Sequence, residues 1–196
     1  FITWQCGDGQ EAFRVRVFAE DGGVVYDSGV CETGETHCQT EMRLQTRTEY
    51  RYQVSVRTVG GEWRHSRPAT FETGLLTAAD FNAAWIMAPG CDAPVMRCEF
   101  TAVRPGKARL YASGLGYSEW YLNGRRVGDG VLEPAHADYH RRELSVLQYP
   151  LSDEFSYSTY YRIYDVTELL RDGVNVLAAH LGNGWYNQHE RQVEGE

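Results

Sequence analysis

GLGYSEWYLNGRRVGDG, residues 114–130, is the stretch that decides the fold class. At its centre lies Asn123-Gly124, two residues that tolerate positive φ and so close a two-residue type I′ hairpin. Glu119 to Leu122 runs into that turn, Arg125 to Val127 runs out of it, and Gly128-Asp129-Gly130 ends the second strand. A second stretch, YDVTELLRDGVNVLAAHLGNGWYN at 164–187, joins cap chemistry to a further strand. Asp165 followed by Glu168 reads as a capping pair, with Asp165 accepting from the first helical N–H groups. Val166, Leu169 and Leu170 form the buried side of this single turn, Gly173 releases the chain, and Val174 to Leu181 is the next strand.

Upstream, residues 1–74 read as a compact all-β unit. Phe13, Val15 and Val17 alternate with Arg14 and Arg16, which puts the apolar side chains on one face of a strand. Asp21-Gly22-Gly23 is a turn, and Val24-Val25-Tyr26 opens the next strand. Between Leu44 and Arg57, Tyr50, Tyr52, Val54 and Val56 share one face while Arg51, Gln53, Ser55 and Arg57 share the other. The lead-in Leu44, Thr48, Tyr50 resembles the F strand of fibronectin type III domains, where the tyrosine bonds back to the preceding turn. Gly60-Gly61 is the expected hairpin turn, and Pro68 to Thr73 an edge strand that tolerates proline. Residues 75–88 form a connector in which Thr77 caps a short helical turn containing Asp80. From Pro89 a second β-domain, 89–196, begins; Ala108, Leu110 and Ala112 face one way, Arg109 and Tyr111 the other.

Composition narrows the function classes. A net charge of −8, with basic residues interleaved among acidic ones, argues against a nucleic-acid partner. No run of about 18 apolar residues is present, so no membrane helix is expected. The five cysteines have no C-x-x-C spacing and no accompanying His cluster, which argues against zinc. They read as small buried hydrophobes of a reducing compartment, with Cys31–Cys38 the one small-loop pairing to consider. A cytoplasmic location follows as the expectation, with a secreted or periplasmic one kept open.

The two opening stretches, in this order, resemble the N-terminal β-sandwich region of bacterial α-L-rhamnosidases of glycoside hydrolase family 78. The residues that carry the resemblance are Gly114-Leu115-Gly116-Tyr117, Leu122-Asn123-Gly124, Val127-Gly128-Asp129, Leu132-Glu133-Pro134 and Tyr139-His140-Arg141. Tyr164-Asp165-Val166-Thr167-Glu168-Leu169-Leu170 and Leu181-Gly182-Asn183-Gly184-Trp185-Tyr186 follow in the same order. Departures from the pattern are Ala135-His136-Ala137-Asp138-Tyr139, where the family places an aromatic, and an insertion-like 145–159. The resemblance implies an all-β chain of two β-sandwich domains, one fibronectin III/immunoglobulin-like and one jelly-roll-like, the second expected to be incomplete at residue 196.

It also implies that the chemistry lies elsewhere. An inverting glycosidase places two carboxyl groups about 6.5–9.5 Å apart around a water, and in this family they sit in a downstream (α/α)6 barrel. No long 3.6-period segment here can be that barrel, so no catalytic residue is assigned; Glu119, Asp129, Glu133, Asp138 and Asp165 read as strand-face, turn or cap residues. The expected role is to brace a barrel of the same polypeptide and to shape its cleft. A binding alternative, a calcium-assisted module for rhamnose-containing glycans, would use Asn123, Asn183, Trp185, Tyr186 and Tyr117 for the sugar. Asn123, Asp129 and Asn183 would serve the metal, calcium being the one cofactor considered. Structural packing explains the same residues, because Asn before Gly is a turn preference in its own right. A third reading is an interaction scaffold.

Overall fold

A computed structural model of the chain describes residues 1–7, 9–103, 106–135, 159–184 and 186. These residues are all-β apart from two 3₁₀ turns, Ala78–Asp80 and Thr167–Leu169. The chain divides into two compact units after Ala84, a point inside the 75–88 stretch.

In the first unit, β1 (Ile2–Thr3) pairs with β4 (His37–Cys38). The larger sheet runs β3 (Val24–Asp27), β2 (Gln10–Phe18), β5 (Glu49–Thr58), β6 (Trp63–His65), and β7 (Ala69–Glu72) joins the same side of β5 further along. The predicted alternation is present: Phe13, Val15 and Val17 are buried, and Phe13 and Val15 pack with Val54, Cys38, Ile2 and Trp4. Trp4 meets Phe13 edge-on at 4.8 Å, the geometry that aromatic quadrupoles favour. Gly22-Gly23 turns as read, with the Gly23 N–H donating to the Asp21 carboxylate at 2.8 Å. The Tyr50 hydroxyl accepts from the Gln45 N–H at 2.8 Å, the corner bond predicted from Leu44, Thr48 and Tyr50. All five cysteines are free thiols; Cys38 is buried beside the Tyr26 hydroxyl, while Cys91 and Cys98 are exposed.

After β7 the chain makes the expected turn at Thr77. Here the Asp80 carboxylate is the capping oxygen, accepting from the N–H groups of Leu76 and Thr77 and from the Thr77 hydroxyl. Those bonds hold the Asp80 carboxyl below its ordinary pKa.

The second unit opposes two sheets. One runs β11 (Arg125–Val127), β10 (Tyr117–Leu122), β13 (Gly173–Gly182), β8 (Val95–Ala102); the other pairs β12 (Arg162–Asp165) with β9 (Arg109–Ala112). Leu122, Val127 and Leu177 from the first sheet meet Leu110 and Tyr164 from the second, with Val166, Leu169 and Leu170 closing the end. The β10–β11 hairpin has φ of 53° at Asn123 and 79° at Gly124, the left-handed pair that a type I′ turn demands.

Two stability predictions follow. Tyr50→Phe removes only the corner bond and should destabilise the first unit by about 1–2 kcal/mol in urea titration. The Asp27 carboxyl, bonded by the Arg14 guanidinium, is held down to about 2. Its pKa is depressed, so its contribution is complete above the ordinary value of about 4 and disappears as pH falls through about 2. Asp27→Asn should flatten that part of the acid-unfolding profile.

Candidate functional site

The densest polar constellation lies in the second unit, where the loop after β11 folds back under β12. Two glycines make this possible. A Cβ on Gly128, at φ +74°, would lie 2.7 Å from the Tyr164 ring, and a Cβ on Gly130 would overlap the Glu133 carboxylate. With neither present, the Tyr164 hydroxyl donates to Glu133 Oε2 at 2.7 Å and Arg162 pairs with Glu133 Oε1 at 2.7 Å. The Glu133 carbonyl accepts from the Ser118 N–H at 2.7 Å, which ties the loop to β10. Trp120 Nε1 donates to the Ser118 hydroxyl at 3.0 Å, and Arg126 donates to the Gly130 carbonyl at 2.6 Å. Burial and the bond to Glu133 push the Tyr164 phenol up to about 12.

Glu133 is thus an ion-paired, hydrogen-bonded carboxylate. Two of the other candidate carboxylates, Glu119 and Asp165, are similarly engaged. Glu119 accepts from the Tyr121 hydroxyl and from Arg126, while Asp165 accepts from the Thr167 N–H and hydroxyl and pairs with Arg109. The Thr167 bonds, with Arg109 beside them, keep the Asp165 carboxyl below its ordinary range. Among the described residues no group of three or more His, Cys, Asp or Glu is placed to hold a metal ion. Asp138, His136, His140, Asn187 and most of the 145–159 stretch lie outside the described residues.

The residues assigned to sugar or calcium fall in two places. Gly116 crosses the end of β13 so closely that a Cβ there would overlap the Gly182 and Asn183 carbonyls, and Gly184 lies against Gly116 and the Tyr117 ring. Tyr117 and Asn183 therefore share one end of the β10–β13 pair; Tyr186, half exposed, follows two residues after Gly184. Trp185 lies outside the described residues. Asn123 lies just past the other end of β10, six residues and roughly 20 Å from Tyr117 along the strand. Its Nδ2 donates to the Leu169 carbonyl and to Asn175 Oδ1, and its Oδ1 accepts from the Val176 N–H. Asp129 follows β11, whose Val127 pairs with Trp120, so it is nearer the Tyr117 end than Asn123 is.

The sequence pattern does not reveal the union of Glu133, in the loop after β11, with Arg162 and Tyr164 on β12, about 30 residues further along the chain. The only trace was the glycine spacing 128 and 130 before Glu133, read as strand termination. Asn175, completely buried, was likewise read only as a strand position.

Fold and site together define a tandem of all-β sandwich domains whose polar clusters are spent on holding loops and sheets in place. Residues 2–77 match the Rha78A-like N-terminal immunoglobulin domain, and 103–153 and 145–196 match the α-L-rhamnosidase N-terminal domain. An α-L-rhamnosidase of Streptomyces avermitilis is 38% identical over 129 residues, 61% of this chain and 11% of that protein. One from Formosa agariphila is 42% identical over 82 residues, covering 42% of this chain and 7% of its own length. The solved α-L-rhamnosidase of Dictyoglumus thermophilum superposes with a TM-score of 0.75 at 28% identity, over 91% of this chain and 21% of that one. That of Aspergillus terreus gives 0.65 at 26% identity, over 93% and 21%. Residues 2–77 belong to the first of these domain families and residues 103–196 to the second, and together they correspond to the N-terminal region of an α-L-rhamnosidase. The chain spans about a tenth of the curated relatives and a fifth of the solved chains that it matches.

Gly128→Ala should cost about 2–4 kcal/mol, from left-handed strain added to the Tyr164 clash. A thermal melt of the second unit would show it. Tyr164 has a raised pKa, so its contribution is complete below the ordinary value of about 10 and is lost as pH rises through about 12. Tyr164→Phe should remove that alkaline limb.

Proposed function

We propose that this chain is the non-catalytic N-terminal part of an α-L-rhamnosidase-type glycoside hydrolase, working within a longer polypeptide. It braces an (α/α)6 catalytic barrel and walls part of its cleft, while the barrel hydrolyses terminal α-L-rhamnosides with inversion. The observation that supports this most directly is the state of the carboxylates. Glu119, Glu133 and Asp165 are each held by a cation and by hydroxyl or amide donors within the fold. A general acid needs a proton to give and a general base a lone pair turned to substrate; these three groups instead accept from partners within the fold. The match to relatives about four to six times longer supports the same division of labour.

Sugar binding without catalysis is a second reading, favoured by the grouping of Tyr117 with Asn183 at one end of β10–β13 and Tyr186 just beyond. An aromatic face against the apolar face of a sugar, with an amide beside it, is a suitable chemistry for rhamnose.

Purified 1–196 should release no nitrophenol from nitrophenyl α-L-rhamnoside; release that survives repurification would overturn the first reading. Calorimetric titration with L-rhamnose, with and without calcium, separates the second. Heat that Tyr117→Ala abolishes supports binding at that end, and no heat at millimolar sugar removes it.

A further inference from the structure

Strand β8 has an open edge and a half-covered inner face, and its sequence, VMRCEFTA, says what fits there. On one side it pairs with β13 throughout; among the described residues nothing pairs with the other side. Met96, Cys98, Phe100 and Ala102 stand opposite Ala179, Leu177, Asn175 and Gly173, so they lie on the face that β10 and β13 bury. Yet Cys98 is exposed and Phe100 is 37% exposed. Natural sheets protect such edges with short strands, bulges, proline or inward charges. Eight residues long, β8 contains no proline and keeps an unbroken register with β13.

The hydrogen-bond phase of β8 limits how another strand can add. Leu181 N–H donates to the Pro94 carbonyl at 3.0 Å, which makes 94–181 a bonded pair. By alternation, the even positions of β8 turn their backbone groups to β13, and Val95, Arg97, Glu99 and Thr101 turn theirs outward. A second β8 pairing antiparallel must therefore set odd positions against odd ones. Near the centre of the strand the choices are Arg97 opposite Arg97, Glu99 opposite Glu99, or Arg97 opposite Glu99 about a two-fold axis at Cys98. The first two oppose like charges in a directly facing pair, which destabilises a ladder. The third gives two Arg–Glu pairs on the outer face and two Met96–Phe100 pairs on the inner face, and brings Cys98 opposite Cys98.

We propose that β8 is a self-complementary edge through which two copies of this chain join into one continuous sheet, in the register centred on Cys98. Arg97 and Glu99, now bonded to each other on the same strand and about 60% exposed, each exchange that partner for one across the axis. The contact is isologous and closes at two copies, because among the described residues each β8 has a single open edge. It is independent of the rhamnosidase reading.

Sedimentation equilibrium on the 196-residue chain, from micromolar to submillimolar concentration, tests it. The expected result is a reversible monomer–dimer equilibrium. Arg97→Glu should weaken the dimer about tenfold or more by setting like charges opposite each other. The double change Arg97→Glu with Glu99→Arg should restore it, since it swaps the charges and keeps the register. In oxidised glutathione, two Cys98 thiols at a non-bonded pair, about 4.5 Å apart at Cα, are close enough for a disulfide. They would lose two protons and two electrons as one glutathione disulfide becomes two glutathiones, and peptide mapping should find Cys98 joined to Cys98. A chain monomeric throughout, a dimer indifferent to Arg97→Glu, or an intermolecular disulfide through Cys91 in place of Cys98 would overturn the proposal.

Discussion

The second unit depends on two amide side chains. Asn175 is completely buried in β13, where an unpaired amide would cost more than its own packing returns. Its Oδ1 accepts from Asn123 Nδ2 at 2.8 Å and from the Arg171 N–H at 3.1 Å; its Nδ2 donates to the carbonyls of Arg171 and Gly173. Asn123 in turn reaches the Leu169 carbonyl and the Val176 N–H. One network thus joins the β10–β11 hairpin, the 3₁₀ turn after β12 and the start of β13. Because β13 is paired on both sides, by β10 and β8, fixing its start fixes the register of the larger sheet. Each member supports the others in a low-dielectric site, so loss of any one strands the rest.

That network explains why the family signature looks like a site and behaves as a scaffold. Asn-Gly at 123–124, the Gly-Asp-Gly before Glu133 and the Gly-Asn-Gly at 182–184 are polar, glycine-rich and loop-borne, the features that also mark ligand sites. In the folded chain, Asn123 is consumed by the hairpin's anchorage, and Gly128 and Gly130 give room to Tyr164 and Glu133. Gly116 and Gly184 let two backbone segments cross. The glycines are required by close approach, and the polar groups by the need to satisfy what that approach buries.

The first unit follows simpler rules. Its core is the shared inner face of the paired strands β2 and β5, closed by Cys38 from the small sheet and Trp4 just after β1, and fixed at one corner by Tyr50. Its charged residues stay at the rim; Arg14 meets Asp27 across β2 and β3 at the solvent edge, where such pairs add little beyond register.

The sequence by itself determined the local elements: the period-2 faces of β2 and β5, the Asn123-Gly124 turn, the Asp165 cap and the tyrosine corner. These depend on residues within a few positions of one another, and the chemistry of one turn or one strand face decides them. Tertiary structure alone decided which polar groups meet. Glu133 with Arg162 and Tyr164, and Asn123 with Asn175, are pairs separated by 29 to 52 residues. Nothing in a one-dimensional pattern specifies them, because they come from the stacking of two sheets and the return of a loop. The same holds for β8. Its alternation was readable, but that, among the described residues, its inner face is half covered and its outer edge has no paired strand is a property of how many strands lie on each side.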